Sequence, residues 1–107
     1  MSYNINFTSL FAKELKQLAK KYPSIKSDVS NLGIELKNNP LMGIALGKNF
    51  YKIRMNIRSK MKGKSGDARV ITFVQIIDKN IFMIAIYDKS EFENISDKEL
   101  QNRLKEL

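Results

Sequence analysis

Apolar and polar residues alternate strictly from Tyr51 to Arg58: Tyr51, Ile53, Met55 and Ile57 are apolar, while Lys52, Arg54, Asn56 and Arg58 are polar or cationic. This is the period of a β-strand, with one face for a core and one carrying cations. Tyr3 to Phe7 alternates in the same way and reads as a short strand. The period then changes. Phe11, Leu15, Leu18 and Tyr22 recur at spacings of 4, 3 and 4, which predicts an amphipathic helix to about Lys21, capped by Thr8 or Ser9. Pro23 breaks it, Ser24 can cap a second helix, and Ile25, Val29, Leu32 and Leu36 repeat the spacing. Gly33 inside this helix costs about 1 kcal/mol relative to Ala, for which close helix packing would be a reason. Asn38-Asn39-Pro40 ends it, so the two helices form a hairpin.

Leu41 to Lys48 reads as a loop with Gly43 and Gly47, and Ser59 to Asp67 as a Gly- and Lys-rich loop. Arg69 to Ile77 is β-branched on both faces, as a central strand requires. Asp78-Lys79-Asn80 is a turn, and Ile81 to Tyr87 a second buried strand that closes a hairpin. Ser96 and Glu99 form a capping box, Ile95 and Leu100 a hydrophobic staple, and Leu100, Leu104 and Leu107 the apolar stripe of a last helix. That helix is too short to stand alone and must dock. The order is β-α-α-β-β-β-α. The expected fold is α+β: a small antiparallel sheet covered on one face by the N-terminal helical hairpin, with a C-terminal helix. The face bearing Lys52 and Arg54 is left partly open. The length of 107 residues suits one domain over 1–107.

Charge changes the picture by its position. Net charge is +8, and residues 41–69 hold eight cations against one anion. Charge focused in one quarter of a chain points to a nucleic-acid or acidic-protein partner. With no cysteine and no histidine, disulfides, thiol chemistry, zinc sites and histidine acid–base catalysis are excluded. No apolar run approaches the roughly 18 residues of a membrane span, and the N-terminus lacks the character of a signal peptide. A cytoplasmic location without membrane contact is expected.

Few catalytic sets remain. Gly63-Lys64-Ser65 lacks the upstream glycine of a P-loop, and Asp67, Asp78 and Asp88 read as turn and loop residues. What is left is cationic. Lys52 and Arg54 share one side of a strand, about 7 Å apart; Arg69 opens the neighbouring strand, and Lys89 follows the last. These four residues could converge on one phosphate. RNA cleavage requires that the 2′-hydroxyl lose its proton, the phosphorane be stabilised and the leaving 5′-oxygen be protonated. Arginines can stabilise the phosphorane, and a lysine crowded by cations can act as a base; no cofactor or metal is needed. The residues alone leave open a nuclease, a nucleic-acid or acidic-protein binding module, or a solvated basic surface.

Several segments, in order, carry a resemblance. They are Lys-Lys-Tyr-Pro-Ser-Ile-Lys (20–26), Asn-Pro (39–40) before Leu-Gly (46–47), Tyr-Lys-Ile-Arg (51–54), Gly-Lys-Ser-Gly (63–66) before Ala-Arg-Val-Ile (68–71), and Ile-Tyr-Asp-Lys-Ser-Glu (86–91) before Asn-Ile-Ser (94–96). With these the chain resembles the RelE/ParE superfamily of type II toxin–antitoxin toxins, in a RelE-like subgroup. The resemblance implies a ribosome-dependent mRNA endonuclease acting through the 2′-hydroxyl without metal. Its partners would be the ribosome, mRNA and a cognate antitoxin that forms a hetero-oligomer with it. Lys52 and Arg54 would match the two cations of the family's strand, one as general base and both neutralising phosphate, and Arg69 the arginine that stabilises the transition state.

Where RelE has an arginine after the lysine of its last strand, this chain has Ser90, and where RelE has a base-stacking tyrosine it has about Ser96; Lys89 and Tyr87 are the candidate substitutes. The subgroup's glycines are replaced by Met61 and Asp67. Arg58, Lys60, Lys62 and Lys64 are expected to grip RNA backbone. Two further readings on the same fold are a ParE-like inhibitor of DNA gyrase and a non-catalytic RNA-binding or degenerate toxin.

Overall fold

The computed structural model describes residues 3–60, 67–91 and 94–107. The strand β1 (Asn4–Phe7) leads into the helices α1 (Ser9–Ala19) and α2 (Ile25–Asn38). Four strands follow, β2 (Ile44–Gly47), β3 (Phe50–Asn56), β4 (Asp67–Gln75) and β5 (Asn80–Asp88), then the helix α3 (Asp97–Arg103), extended by a 3-10 turn over Leu104–Glu106. The α+β class and the order of the expected elements hold.

The five strands form one sheet in the order β1-β5-β4-β3-β2. From β2 to β5 the pairing is antiparallel throughout. β1 lies parallel to β5, so the sheet is mixed, where an antiparallel one was expected. Three reversals bring β5 back to the direction of β1, and the helical hairpin supplies the long connection that parallel neighbours need. β2 falls in a stretch expected to be a loop. All four of its residues are exposed, so no buried face marks it as a strand; it forms by pairing with β3, with Ala45 opposite Tyr51. The expected strand end at Ile77 also shortens, because Ile76 and Ile77 belong to the turn and are exposed.

Alternation divides the sheet's side chains between two cores. Ile53, Met55 and Ile57 of the β3 stretch, Val70 and Val74 of β4, and Ile81, Met83 and Ile86 of β5 pack with Phe11, Leu15, Leu18, Ile25, Val29, Leu32 and Leu36 of the helical hairpin. Phe50, Ile71, Ile84, Ala85 and Tyr87 turn the other way and pack with Leu100 of α3. Burying an aliphatic side chain of this size stabilises by about 1.5–3 kcal/mol, which is how a helix as short as α3 holds its place. Ser96 caps it as expected, accepting from the Glu99 N–H at 3.2 Å. Thr8 caps α1, accepting from the Phe11 N–H at 3.1 Å. Ser24 does not cap α2; its hydroxyl donates to Asp28 at 2.7 Å. Gly33 is not forced by close packing, since an added Cβ would meet only Ile5 Cγ2 at 3.9 Å.

β5 carries a bulge. Ile71 pairs with Ala85 but Thr72 pairs with Met83, leaving Ile84 as the extra residue. β1 has ended by this point, so the outer edge of β5 needs other partners. The Glu14 carboxylate accepts from the Ile86 N–H at 3.2 Å, and Arg103 donates to the Ile84 carbonyl at 3.0 Å. Arg103 also grips Glu14 with two bonds of 2.9 Å. One ion pair thus satisfies the bulge and ties α3 to α1.

Candidate nucleic-acid interface

The β3–β4 ladder places Lys52 opposite Ile71 and Arg54 opposite Arg69. On its other side Arg69 faces Tyr87 of β5. Lys52, Arg54, Arg69 and Tyr87 therefore lie on one face of the sheet, the face whose core includes Leu100 of α3. Lys52, Arg54 and Arg69 share a shallow pocket of about 220 Å³ with Ile44, which projects from β2. The exposed edge strand absent from the sequence reading thus supplies one wall of the site.

Two arginines facing one another on neighbouring strands repel. Asp67, the first residue of β4, offsets that repulsion. Its Oδ2 lies 2.7 Å from Arg54 Nε and 3.9 Å from Arg69 Nη1. Arg54 is otherwise open, with 66% of its side chain exposed, whereas the Arg69 side chain is 13% exposed. Arg69 is thus a largely buried wall of the pocket and Arg54 a solvent-exposed arm over it. Lys52 donates from Nζ to Asn94 Oδ1 at 2.9 Å, so the residues leading into α3 reach the same site. Asn94 appeared in the sequence only within the Asn-Ile-Ser segment of the resemblance, with no role attached to it.

Lys89 is exposed, and its N–H reaches the Asp67 carbonyl at 3.4 Å. It therefore stands at the end of the sheet where Asp67 begins β4. Tyr87 is buried in the second core. Burial pushes its hydroxyl pKa up, and the neighbouring Arg69 charge pulls it partly back. Its ring packs beneath the cationic row rather than standing out as a stacking platform.

Arg58 and Lys60 lie elsewhere. Arg58 donates from Nε to Asp28 Oδ1 at 2.6 Å and from Nη2 to Ser27 at 2.7 Å, both on α2. Lys60 places Nζ 3.0 Å from Asp88 Oδ1 and 5.4 Å from the centre of the Tyr22 ring. Both cations are thus engaged on the helical side of the sheet. Asp88, expected to be a turn residue, is a buried hub that also accepts from the Tyr22 hydroxyl and from the Ser90 N–H at 3.0 Å. Burial alone would push its carboxyl pKa up, but the bonds from Tyr22, Ser90 and Lys60 outweigh that and hold it well below the usual range. Tyr22 is pushed up to about 12, mainly by donating its hydroxyl proton to Asp88. Lys62 and Lys64 lie outside the described residues. Among the described residues no group of three or more metal-ligating side chains is placed to hold an ion, and no helix is long and apolar enough to cross a membrane.

Comparisons with known proteins bear on this site and fold. The family model described as the RelE toxin of the RelE/RelB toxin–antitoxin system matches residues 8–107. A mutant of the E. coli toxin RelE in its free state superposes with a TM-score of 0.61 at 17% identity, over 96% of this chain and 94% of that one. The toxin–antitoxin complex RelBE2 from Mycobacterium tuberculosis gives a TM-score of 0.54 at 14% identity, over 80% of this chain and 96% of that one. No curated protein sequence matches.

Proposed function

The chain belongs to the RelE toxin family of toxin–antitoxin systems, and from that premise we propose that it is a ribosome-dependent mRNA endonuclease that acts without metal. The observation that carries this reading is the convergence of Lys52, Arg54 and Arg69 on one pocket. In this reading a scissile phosphate sits between the two arginines, whose guanidinium groups neutralise the charge that grows on its oxygens. A lysine amine takes the 2′-hydroxyl proton, the 2′-oxygen attacks phosphorus, and the bond to the 5′-oxygen breaks as that oxygen gains a proton. Lys52 and Lys89 divide the base and acid roles. The products are a 2′,3′-cyclic phosphate and a 5′-hydroxyl.

The ribosome supplies the rest of the substrate's alignment, and a cognate antitoxin blocks the basic face in a hetero-oligomer formed in the cytoplasm. Lys62 and Lys64 add phosphate contacts; Arg58 and Lys60, engaged on Asp28 and Asp88, are left out of the RNA-binding set.

The test is induction in cells that lack an antitoxin, with 5′-end mapping of translated mRNA. Growth arrest with new mRNA ends, both lost in the K52A/R54A/R69A variant, is the expected result. Soluble protein with unaffected growth overturns the reading. An SOS response without mRNA cleavage would replace it with gyrase inhibition.

A further inference from the structure

Asp67 Oδ2 alone reaches both Arg54 Nε, at 2.7 Å, and Arg69 Nη1, at 3.9 Å. It supplies one negative charge between two guanidinium groups, which is what a phosphodiester oxygen would supply. We propose that Asp67 is an internal occupant of the phosphate position, an autoinhibitory contact that RNA must displace. The inference rests on the RNA-cleaving reading of this pocket.

Three observations carry it. Arg54 and Arg69 are direct cross-strand partners, so their repulsion needs an anion on that face in the free protein. Asp67 pairs with Asn56 at the last rung of the same ladder and its carbonyl accepts from the Lys89 N–H at 3.4 Å, so its carboxylate can leave the arginines while its backbone stays in place. Arg54 is the exposed partner, with 66% of its side chain open to an incoming phosphate. Binding is then an exchange of anions rather than capture by bare cations: the carboxylate leaves as the phosphate arrives, and the net charge around the arginines is unchanged. Such an exchange weakens binding to stray RNA and releases fewer counterions than two bare arginines would.

The experiment compares the parent protein with D67N and D67S, the second because an amide at this position could still accept from Arg54. Inorganic phosphate is titrated while the Arg54 and Arg69 Nε–H resonances are followed by NMR, and a short single-stranded RNA is then titrated by fluorescence anisotropy. An exposed ion pair is worth enough to give about a twofold to fivefold gain in affinity for both probes. The slope of log K against log salt for RNA should steepen by about 0.7, the share of one phosphate contact. Equal or weaker phosphate binding in folded D67N and D67S overturns the proposal. A gain on phosphate in a protein that leaves mRNA on translating ribosomes uncut would uphold the occupancy and overturn the endonuclease reading instead.

Discussion

Lys60 and Asp88 form a 3.0 Å ion pair in which the carboxylate has no exposed surface and the lysine side chain is 11% exposed. The pair fixes the chain where β3 runs out toward residues 61–66 against the end of β5. Removing one partner of a buried pair costs about 3–5 kcal/mol. D88A should lie at or above that range, because Tyr22 and Ser90 lose their acceptor as well. K60M should cost less, since those two donors continue to hold the carboxylate. Urea unfolding of K60M, D88A and the double variant measures this; additive losses would show that the two residues act independently.

The same hub sets the pH range of stability. Asp88 is held below the ordinary aspartate value of 3.8, so its contribution is complete above that value and is lost as pH falls through the lower folded pKa. Tyr22 is raised from 10.0 to about 12. Its contribution is complete below pH 10 and is lost as pH rises toward 12. Urea midpoints across pH should decline at both ends, and Y22F should lessen the alkaline decline, leaving the part due to buried Tyr87, whose pKa is also raised. A tyrosine absorbance titration that loses no late-titrating group in Y22F would refute the assignment.

Arg103 satisfies the bulge carbonyl and Glu14 together. R103M should cost about 2–3 kcal/mol, below the range for a fully buried pair because Glu14 keeps some exposure. Hydrogen exchange should quicken first at the Ile86 amide and along α3, ahead of the β3–β4 ladder. Uniform acceleration across the sheet would mean global destabilisation instead.

Gly43 holds the edge strand against Lys52. Its φ is +100°, and an added Cβ would stand 2.5 Å from the Lys52 carbonyl oxygen and 2.8 Å from Ile53 Cγ1. G43A should cost about 2–4 kcal/mol through strain and backbone clash, release β2, and weaken RNA binding by opening the Ile44 wall. Unchanged protection of the β2–β3 amides would contradict this.

The exposed arginine separates binding from folding. R54A should change stability by no more than about 0.5 kcal/mol, as surface substitutions do, while abolishing mRNA cleavage. A large fall in melting temperature would show Arg54 to be structural.

Periodicity made most of this fold legible. The 4-3-4 spacings located both long helices, alternation located β3, and the Ser96–Glu99 pattern located α3. Lys52, Arg54 and Arg69 were legible because a strand period fixes which side chains share a face. β2 was not, since a fully exposed edge strand has no buried side to pattern. Lys60 and Arg58 looked like free cations because charge counting cannot distinguish a solvated ammonium from one on a buried carboxylate. Their partners, Asp88 and Asp28, are 28 and 30 residues away in sequence, joined only by the fold. Tyr87 reads from the sequence as a substitute for the stacking tyrosine; the bulge at Ile84 sets its face and the second core covers its ring, neither of which the sequence displays.

The extra residue in β5 works as a parity switch. Ahead of it, Ile81 and Met83 face the helices; after it, Ile86 and Asp88 do, while Tyr87 lies with the cations. Removing Ile84 would erase the bulge and leave a regular ladder with Met83 opposite Thr72 and Ala85 opposite Ile71, so Ile86 would still face the helices and Tyr87 would still lie with the cations. The full-length strand paired without its bulge would instead put Tyr87 in the helical core and Asp88 on the cationic face, so the hub would lose its acceptor and the arginines would gain another anion. Within Asn80–Asp88 the bulge, and not alternation alone, decides which face the last three residues take.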